Sequence, residues 1–198
     1  MQFQYDQSLD GVLESIEAAL VERVPAKVKS LAVTEPCYAL FLWYFDSSTD
    51  EYSPLVGLGT HAVRDACGRQ YAGDESERID CLWRPQQTLE NHRLIPQHHL
   101  NDESLREQCN RAYELMLAAN TSDLPLPDEG EILLPFRSML WRVARRLNDI
   151  DWREILNVDD GFVVAALELT GYWLDEDLRA SVPELKFARL KERGLLGE

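Results

Sequence analysis

Three histidines, His92, His98 and His99, crowd the segment 91-NHRLIPQHH-99 and are the best-suited metal ligands in the chain. A bound cation needs three or four lone-pair donors converging on one point. The spacing works against that. Neighbouring His98 and His99 point apart in an extended chain, no H-x-x-x-H pattern is present, and His61 joins them only through folding. A small metal-dependent hydrolase using these imidazoles with loop acids is the enzymatic reading they support. Covalent catalysis needs a nucleophile beside a base. Cys67 in 65-DACGR-69 matches no protease pattern, and no G-x-S-x-G occurs. Acid–base work needs one carboxyl of a pair shifted by burial. The pairs Asp149 with Asp151 and Asp159 with Asp160, and the run Asp175, Glu176 and Asp177, fall in loops and at element ends, where water keeps them ionised. Gly57-Leu58-Gly59 follows a strand, but Ala62 stands where a dinucleotide fingerprint needs its third glycine. These residues assign no catalytic group and imply no cofactor.

What remains is charge. The chain carries 20 Lys and Arg against 35 Asp and Glu, a net charge of −15. Such a field opposes direct binding of nucleic acid, because a polyanion is held by cations that replace its counterions. It attracts basic proteins and speeds their encounter. Acids cluster at 46–51, 74–80, 123–131, 149–160 and 175–177. With aromatic anchors among them they form a candidate partner-binding set: Asp46, Asp50, Glu51, Asp159, Asp160, Tyr172, Trp173, Asp175 and Glu176. Tyr44 reads as a core aromatic.

The elements that position these residues follow from periodicity. A helix over about 8–32 carries Leu9, Val12, Leu13, Ile16, Ala19 and Leu20 on one side, with an interruption at Pro25. The run 37-CYALFLWYF-45 shows no alternation, so it predicts a central strand covered on both faces. The polar turn 46–50 returns it into a second strand through Leu55, Val56 and Leu58, with Pro54 marking a free edge or a bulge. Thr60 caps a helix that Gly68 ends. Ile79, Cys81 and Trp83 alternate, which predicts a short strand, and 86–101 reads mostly as loop. Ser104 and Glu107 form a capping box for the next helix. Then come a loop over 121–131, a helix from about Pro135 that carries Arg142, Arg145 and Arg146, and a buried strand over 161–170. A last helix near Ser181 is capped by that serine, with Leu185, Phe187, Leu190 and Leu195 inward.

Cys37, Cys67, Cys81 and Cys109 form no C-x-x-C pair, and the N-terminus lacks a basic start and an apolar stretch of signal length. The longest apolar run, 37–45, is far too short to span a bilayer. The expectation is a cytoplasmic protein, off the membrane, with reduced thiols.

The aromatic hairpin, the segment "PFRSMLWRVARRLNDIDW" and the ending "DDGFVVAALELTGYWLDEDLRASVPELKFARLKERGLL" resemble a bacterial family, domain of unknown function 4303. The likeness runs from about Val33 to the C-terminus and rests on spacing and hydrophobic pattern. It departs at the 121–131 loop and the histidine-bearing 91–99 loop. It implies an α+β fold and, because such families sit near toxin genes, an immunity protein. It transfers no catalytic residue.

The expected architecture is one α+β domain over 1–198, a central mixed sheet built on the aromatic hairpin with helices packed against it. The N-terminal helix over 8–32 is either part of that body or an appendage. The expected function is non-enzymatic: an immunity protein that neutralises a basic toxin through an acidic face. The rivals are the metal-dependent hydrolase and an acidic polyanion mimic that blocks a nucleic-acid-binding protein.

Overall fold

The computed structural model describes residues 8–44, 53–84, 88–89, 92–93, 95–120 and 129–196. Strand β1 (Cys37–Tyr44) is buried at all eight positions. That is why its sequence does not alternate: a helical layer covers each face of the sheet. On one face Leu40, Leu42 and Tyr44 pack against α1 (Leu9–Ser30), α4 (Glu103–Asn120) and α5 (Glu129–Asn148). On the other, Phe41 and Trp43 pack against α2 (His61–Gln70), α3 (Glu75–Trp83), α6 (Leu174–Ser181) and α7 (Glu184–Glu192).

Beside β1 lie β2 (Leu55–Thr60), antiparallel, and β6 (Val158–Glu168), parallel. The short β5 (His98–His99) pairs only with Leu55 and Val56, which completes the order β5-β2-β1-β6. The sheet is therefore mixed, as the sequence predicts, and among the described residues no strand pairs with the outer edge of β2 beyond Val56. A separate ribbon joins β3 (Thr88–Leu89) to β4 (His92–Arg93) within the segment expected to be loop. A register shift between Cys37 and Ala39 turns Tyr38 and Ala39 toward the same aromatic layer. The glycines of β2 match that layer. A methyl group at Gly57 would overlap the Trp43 ring, and one at Gly59 would overlap Tyr38. They are the clearance that two large rings require.

Several local expectations are corrected. Pro25 does not interrupt the first helix; α1 runs through it for 22 residues. Proline costs about 3 kcal/mol in a helix interior. Val24 and Val28 bury completely around it, at about 1.5–3 kcal/mol each, and offset that cost. With Leu13, Ile16 and Leu20 they bind α1 into the same core as α4 and α5. The residues expected to alternate on a strand lie on α3. The Asp74 carboxylate accepts from Glu77 N–H at 3.1 Å and starts the helix. Ile79, Cys81, Leu82 and Trp83 are buried nearly all round it, so the apolar pattern fits either period and the cap decides. Asp102, not Ser104, caps α4: its carboxylate accepts from Leu105 N–H at 2.9 Å and also pairs with Arg23 of α1. Thr60 caps α2 as expected, but the helix continues past Gly68 to Gln70.

Near the C-terminus the sequence reading places one helix, begun and capped at Ser181, where the structure has two. Ser181 ends α6 and donates its hydroxyl to the Asp177 carbonyl, while α7 starts after Pro183 with no side-chain cap. Leu185, expected inward, is 81% exposed. At 100° per residue it stands about 140° round the helix from buried Leu190. The reduced-thiol expectation also fails for two residues: Cys67 and Cys81 are disulfide-bonded, joining α2 to α3. Cys37 and Cys109 are buried free thiols. No helix among the described residues is long and apolar enough to cross a membrane.

Candidate functional site

The parallel strands β1 and β6 end side by side at Tyr44 and Glu168. Open sheets commonly place ligands beyond the carboxyl ends of parallel strands. Here side chains fill that position. Arg137 of α5 enters it with 3% exposure, and Asp177, in the first turn of α6, is fully buried. Arg137 Nε donates to the Tyr44 hydroxyl at 2.8 Å, and Nη2 donates to Asp177 at 3.3 Å and to Glu176 at 3.0 Å. The guanidinium carbon lies 4.2 Å from the Trp173 ring centre and 5.1 Å from that of Trp141. Two aromatic faces and two carboxylates therefore hold one cation.

Asp177 is the hub. It accepts from Tyr44 O–H at 2.8–2.9 Å, from Trp141 Nε1–H at 2.9 Å and from Glu168 N–H at 2.8 Å, as well as from Arg137. Burial pushes its carboxyl up from the usual aspartate range, against the pull of those donors and the Arg137 charge. Burial likewise raises the Tyr44 phenol. Burial alone would lower Arg137, but the charge and hydrogen bonds around it hold it above its ordinary value. The expectation that 175–177 is a uniformly solvated run is thus wrong for Asp177. Its donors engage both carboxylate oxygens, and the chemistry is that of a brace: four elements, β1, α5, β6 and α6, meet on one carboxylate.

The brace shapes a surface turn. Buried Glu168 accepts from Thr170 N–H at 2.7 Å, from the Thr170 hydroxyl at 2.5 Å and from Tyr172 N–H at 3.0 Å. Gly171 supplies the left-handed residue of this turn, with φ 77°. The result presents Tyr172 at 77% exposure, edge-on to Trp173 with ring centres 5.1 Å apart. Asp175 and Glu176 are exposed in the following turn of α6, where carboxylates suit the helix N-terminus.

Tyr172, Trp173, Asp175 and Glu176 therefore share one end of the sheet. Trp173 is largely spent on covering Arg137. Asp159 and Asp160 sit at the other end of β6. At about 3.3 Å per residue, Asp160 is some 26 Å along the strand from Glu168. Asp160 is exposed and bonds Arg153 at 2.9 Å. Asp159 is mostly buried among Arg193 at 2.8 Å, His61 at 3.3 Å and Arg64 at 3.7 Å. Burial alone would raise Asp159, but hydrogen bonds from Arg193, His61 and Gly161 N–H, with the Arg193 charge, hold it below the usual range. Neither acid belongs to the Tyr172 surface. Asp46, Asp50 and Glu51 follow Tyr44 in the chain and lie outside the described residues.

His98 and His99 are neighbours on β5, paired with Val56 and Leu55, and His92 lies on the separate β3–β4 ribbon. Its side chain lies outside the described residues. Burial lowers His98, with a further contribution from Lys27. Among the described residues no three His, Cys, Asp or Glu side chains meet as a metal site. Burial pushes the Cys37 thiol up to about 11 and the Cys109 thiol up to about 12, so both stay protonated at neutral pH.

Sequence reasoning missed Arg137, Trp141, Glu168 and Asp177. One signal was present: Arg137 and Trp141 stand four apart on a helix, a spacing that stacks a cation on an indole. Fold and site together define a mixed-sheet α+β protein with a braced aromatic–acidic turn at one end of its sheet. No family model, curated protein or solved structure matches the chain.

Proposed function

We propose that the chain is a non-enzymatic binding protein that captures a basic protein partner on Tyr172 and the first turn of α6. The observation that supports this reading is the exposure of Tyr172 on a turn fastened by buried charge. The Tyr172 backbone N–H is held by Glu168 and, through Asp177, by three further elements, and its ring stands edge-on to Trp173. Fixing a contact residue before the partner arrives lowers the entropy lost on binding. Tyrosine beside carboxylates suits a lysine- or arginine-rich surface, giving both apolar area and charge. The net charge of −15 acts at longer range and raises the encounter rate.

The finer reading is an immunity protein. The acidic turn would meet the cationic rim of a toxin's active site and occlude it. The experiment is co-purification from source cells with the tagged chain at low salt, run beside Tyr172→Ala and a double Asp175→Lys, Glu176→Lys variant. A basic protein is expected to be retained, to elute as salt rises, and to be lost from both variants. Retention indifferent to both variants, or affinity unchanged from low to high ionic strength, removes the reading. Growth protection against the retained protein, measured by co-expression, then separates an immunity protein from another kind of binder.

A further inference from the structure

We propose that the Cys67–Cys81 disulfide is a redox latch on α2: reducing it frees that helix while α3 and the sheet stay in place. The two partners of the bond are held very unequally. Helix α2 buries only Val63 and Cys67 across ten residues. Its other ties include the Thr60 cap, the His61 N–H donated to the Pro36 carbonyl at 2.9 Å, Tyr71 packed against the core at its C-terminus, and the contacts of His61 and Arg64 with Asp159. A helix of that length is marginal without tertiary support. Helix α3 buries four side chains and makes three tertiary hydrogen bonds, one accepted by its own carbonyl and two donated to carbonyls near the C-terminus. It receives the Tyr38 hydroxyl on the Leu82 carbonyl at 2.8 Å. It gives Trp83 Nε1–H to the Leu195 carbonyl and Arg78 Nη2–H to the Gly194 carbonyl, both at 2.7 Å. The cross-link thus fastens a weakly held helix to a firmly held one.

The remaining thiols do not compete for the bond. Cys37 and Cys109 belong to the core on the opposite face of the sheet and stay protonated. A dithiol reductant delivers two electrons and two protons: the S–S bond breaks, Cys67 and Cys81 each gain a thiol proton, and the reductant closes to its own disulfide. Both sulfurs are buried, so exchange must follow a brief opening of α2 and is slow beside that of an exposed disulfide. Once reduced, the chain regains the freedom of the 14-residue separation that the bond closes. The chain-entropy value for a loop of that size raises local opening on the order of a hundredfold.

The test is hydrogen exchange read by mass spectrometry on protein equilibrated with glutathione disulfide and on the same protein treated with dithiothreitol. Amides of 61–70 are expected to exchange on the order of a hundredfold faster after reduction. Those of α3, β1 and β6 are expected to keep their protection. A Cys67→Ala, Cys81→Ala double variant is expected to match the reduced state and to ignore dithiothreitol. Four free thiols in the glutathione-equilibrated protein would overturn the proposal. So would unchanged exchange at 61–70, or loss of protection in α3 and β1 along with α2. None of these readouts needs a partner, so the latch stands or falls apart from the docking surface.

Discussion

Arg137→Met tests whether the buried cation is structural, and the magnitude follows from its surroundings. Methionine nearly fills the volume of the arginine stem, so the change is chiefly loss of charge and of donors. Asp177 is left fully buried with Tyr44, Trp141 and the Glu168 amide but no cation. Breaking a buried pair by removing one partner costs about 3–5 kcal/mol. The second partner of Arg137, Glu176, is 53% exposed, so Glu176→Gln should cost no more than about 1 kcal/mol. The pH dependence is the sharper part. Burial already holds the Asp177 carboxyl above its unfolded value, and removing Arg137 lifts it further. A carboxyl raised on folding contributes stability that is complete below its unfolded pKa and lost as pH rises through its folded one. The deficit of Arg137→Met should therefore be largest near neutral pH and shrink as Asp177 takes up a proton in mild acid. Urea unfolding at a series of pH values, with the slope m checked for constancy, measures it. A loss below about 1 kcal/mol at neutral pH, or one that stays flat into acid, would falsify the view of Asp177 as a dry hub.

Asp159 predicts the opposite sign. Its carboxyl is held below the usual range, so its contribution is present above the unfolded aspartate pKa and lost as pH falls through the folded one. Asp159→Asn should flatten the acid limb of the stability curve, and curves for variant and parent that run parallel into acid would contradict this. Gly57→Ala should cost about 1–3 kcal/mol by driving a methyl group into the Trp43 ring, with a matching change in near-ultraviolet circular dichroism. Gly68→Ala is the counter-test: nothing lies within 4 Å of the new methyl, and the site is inside α2. It should stabilise by about 0.5–1 kcal/mol, and equal signs for the two glycine variants would refute the packing account.

What the sequence made legible was whatever burial writes as pattern. Strand β1 could be read because eight consecutive buried positions leave no polar residue to alternate with. The inward set of α5 could be read because Phe136, Met139, Leu140, Val143 and Leu147 repeat at helical spacing, and all five are buried. Helix α3 could not, because Ile79, Cys81 and Trp83 fit a two-residue period as well as a helical one, and its start is decided by one aspartate. The site was hidden for a related reason. Asp175, Glu176 and Asp177 are adjacent acids, alike in sequence, yet the helix turns two outward and one into the core. Arg137 looked like one more helix cation, since nothing local marks a side chain whose partners lie 39, 40 and 93 residues away.

The arginines also explain how a chain of this charge keeps an acidic exterior. Arg142 and Arg146 both bond Glu17, Arg193 and Arg64 both approach Asp159, and Arg84 pairs with Asp80. Arg137 is withdrawn into the brace. Arginine here is used to fasten α1 to α5 and the start of β6 to its neighbours, while Arg142 and Arg146 stay about half exposed. The excess of acids is then what an approaching molecule meets. Exposed pairs of this kind add little stability, typically below about 1 kcal/mol each. Their larger consequence is on rate: at −15 the field acts before contact, and if the proposed basic partner binds, added salt should slow its capture more than it speeds release. Stopped-flow association at several ionic strengths separates the two, and a salt effect confined to dissociation would place the affinity in contact chemistry at Tyr172 instead of in the field.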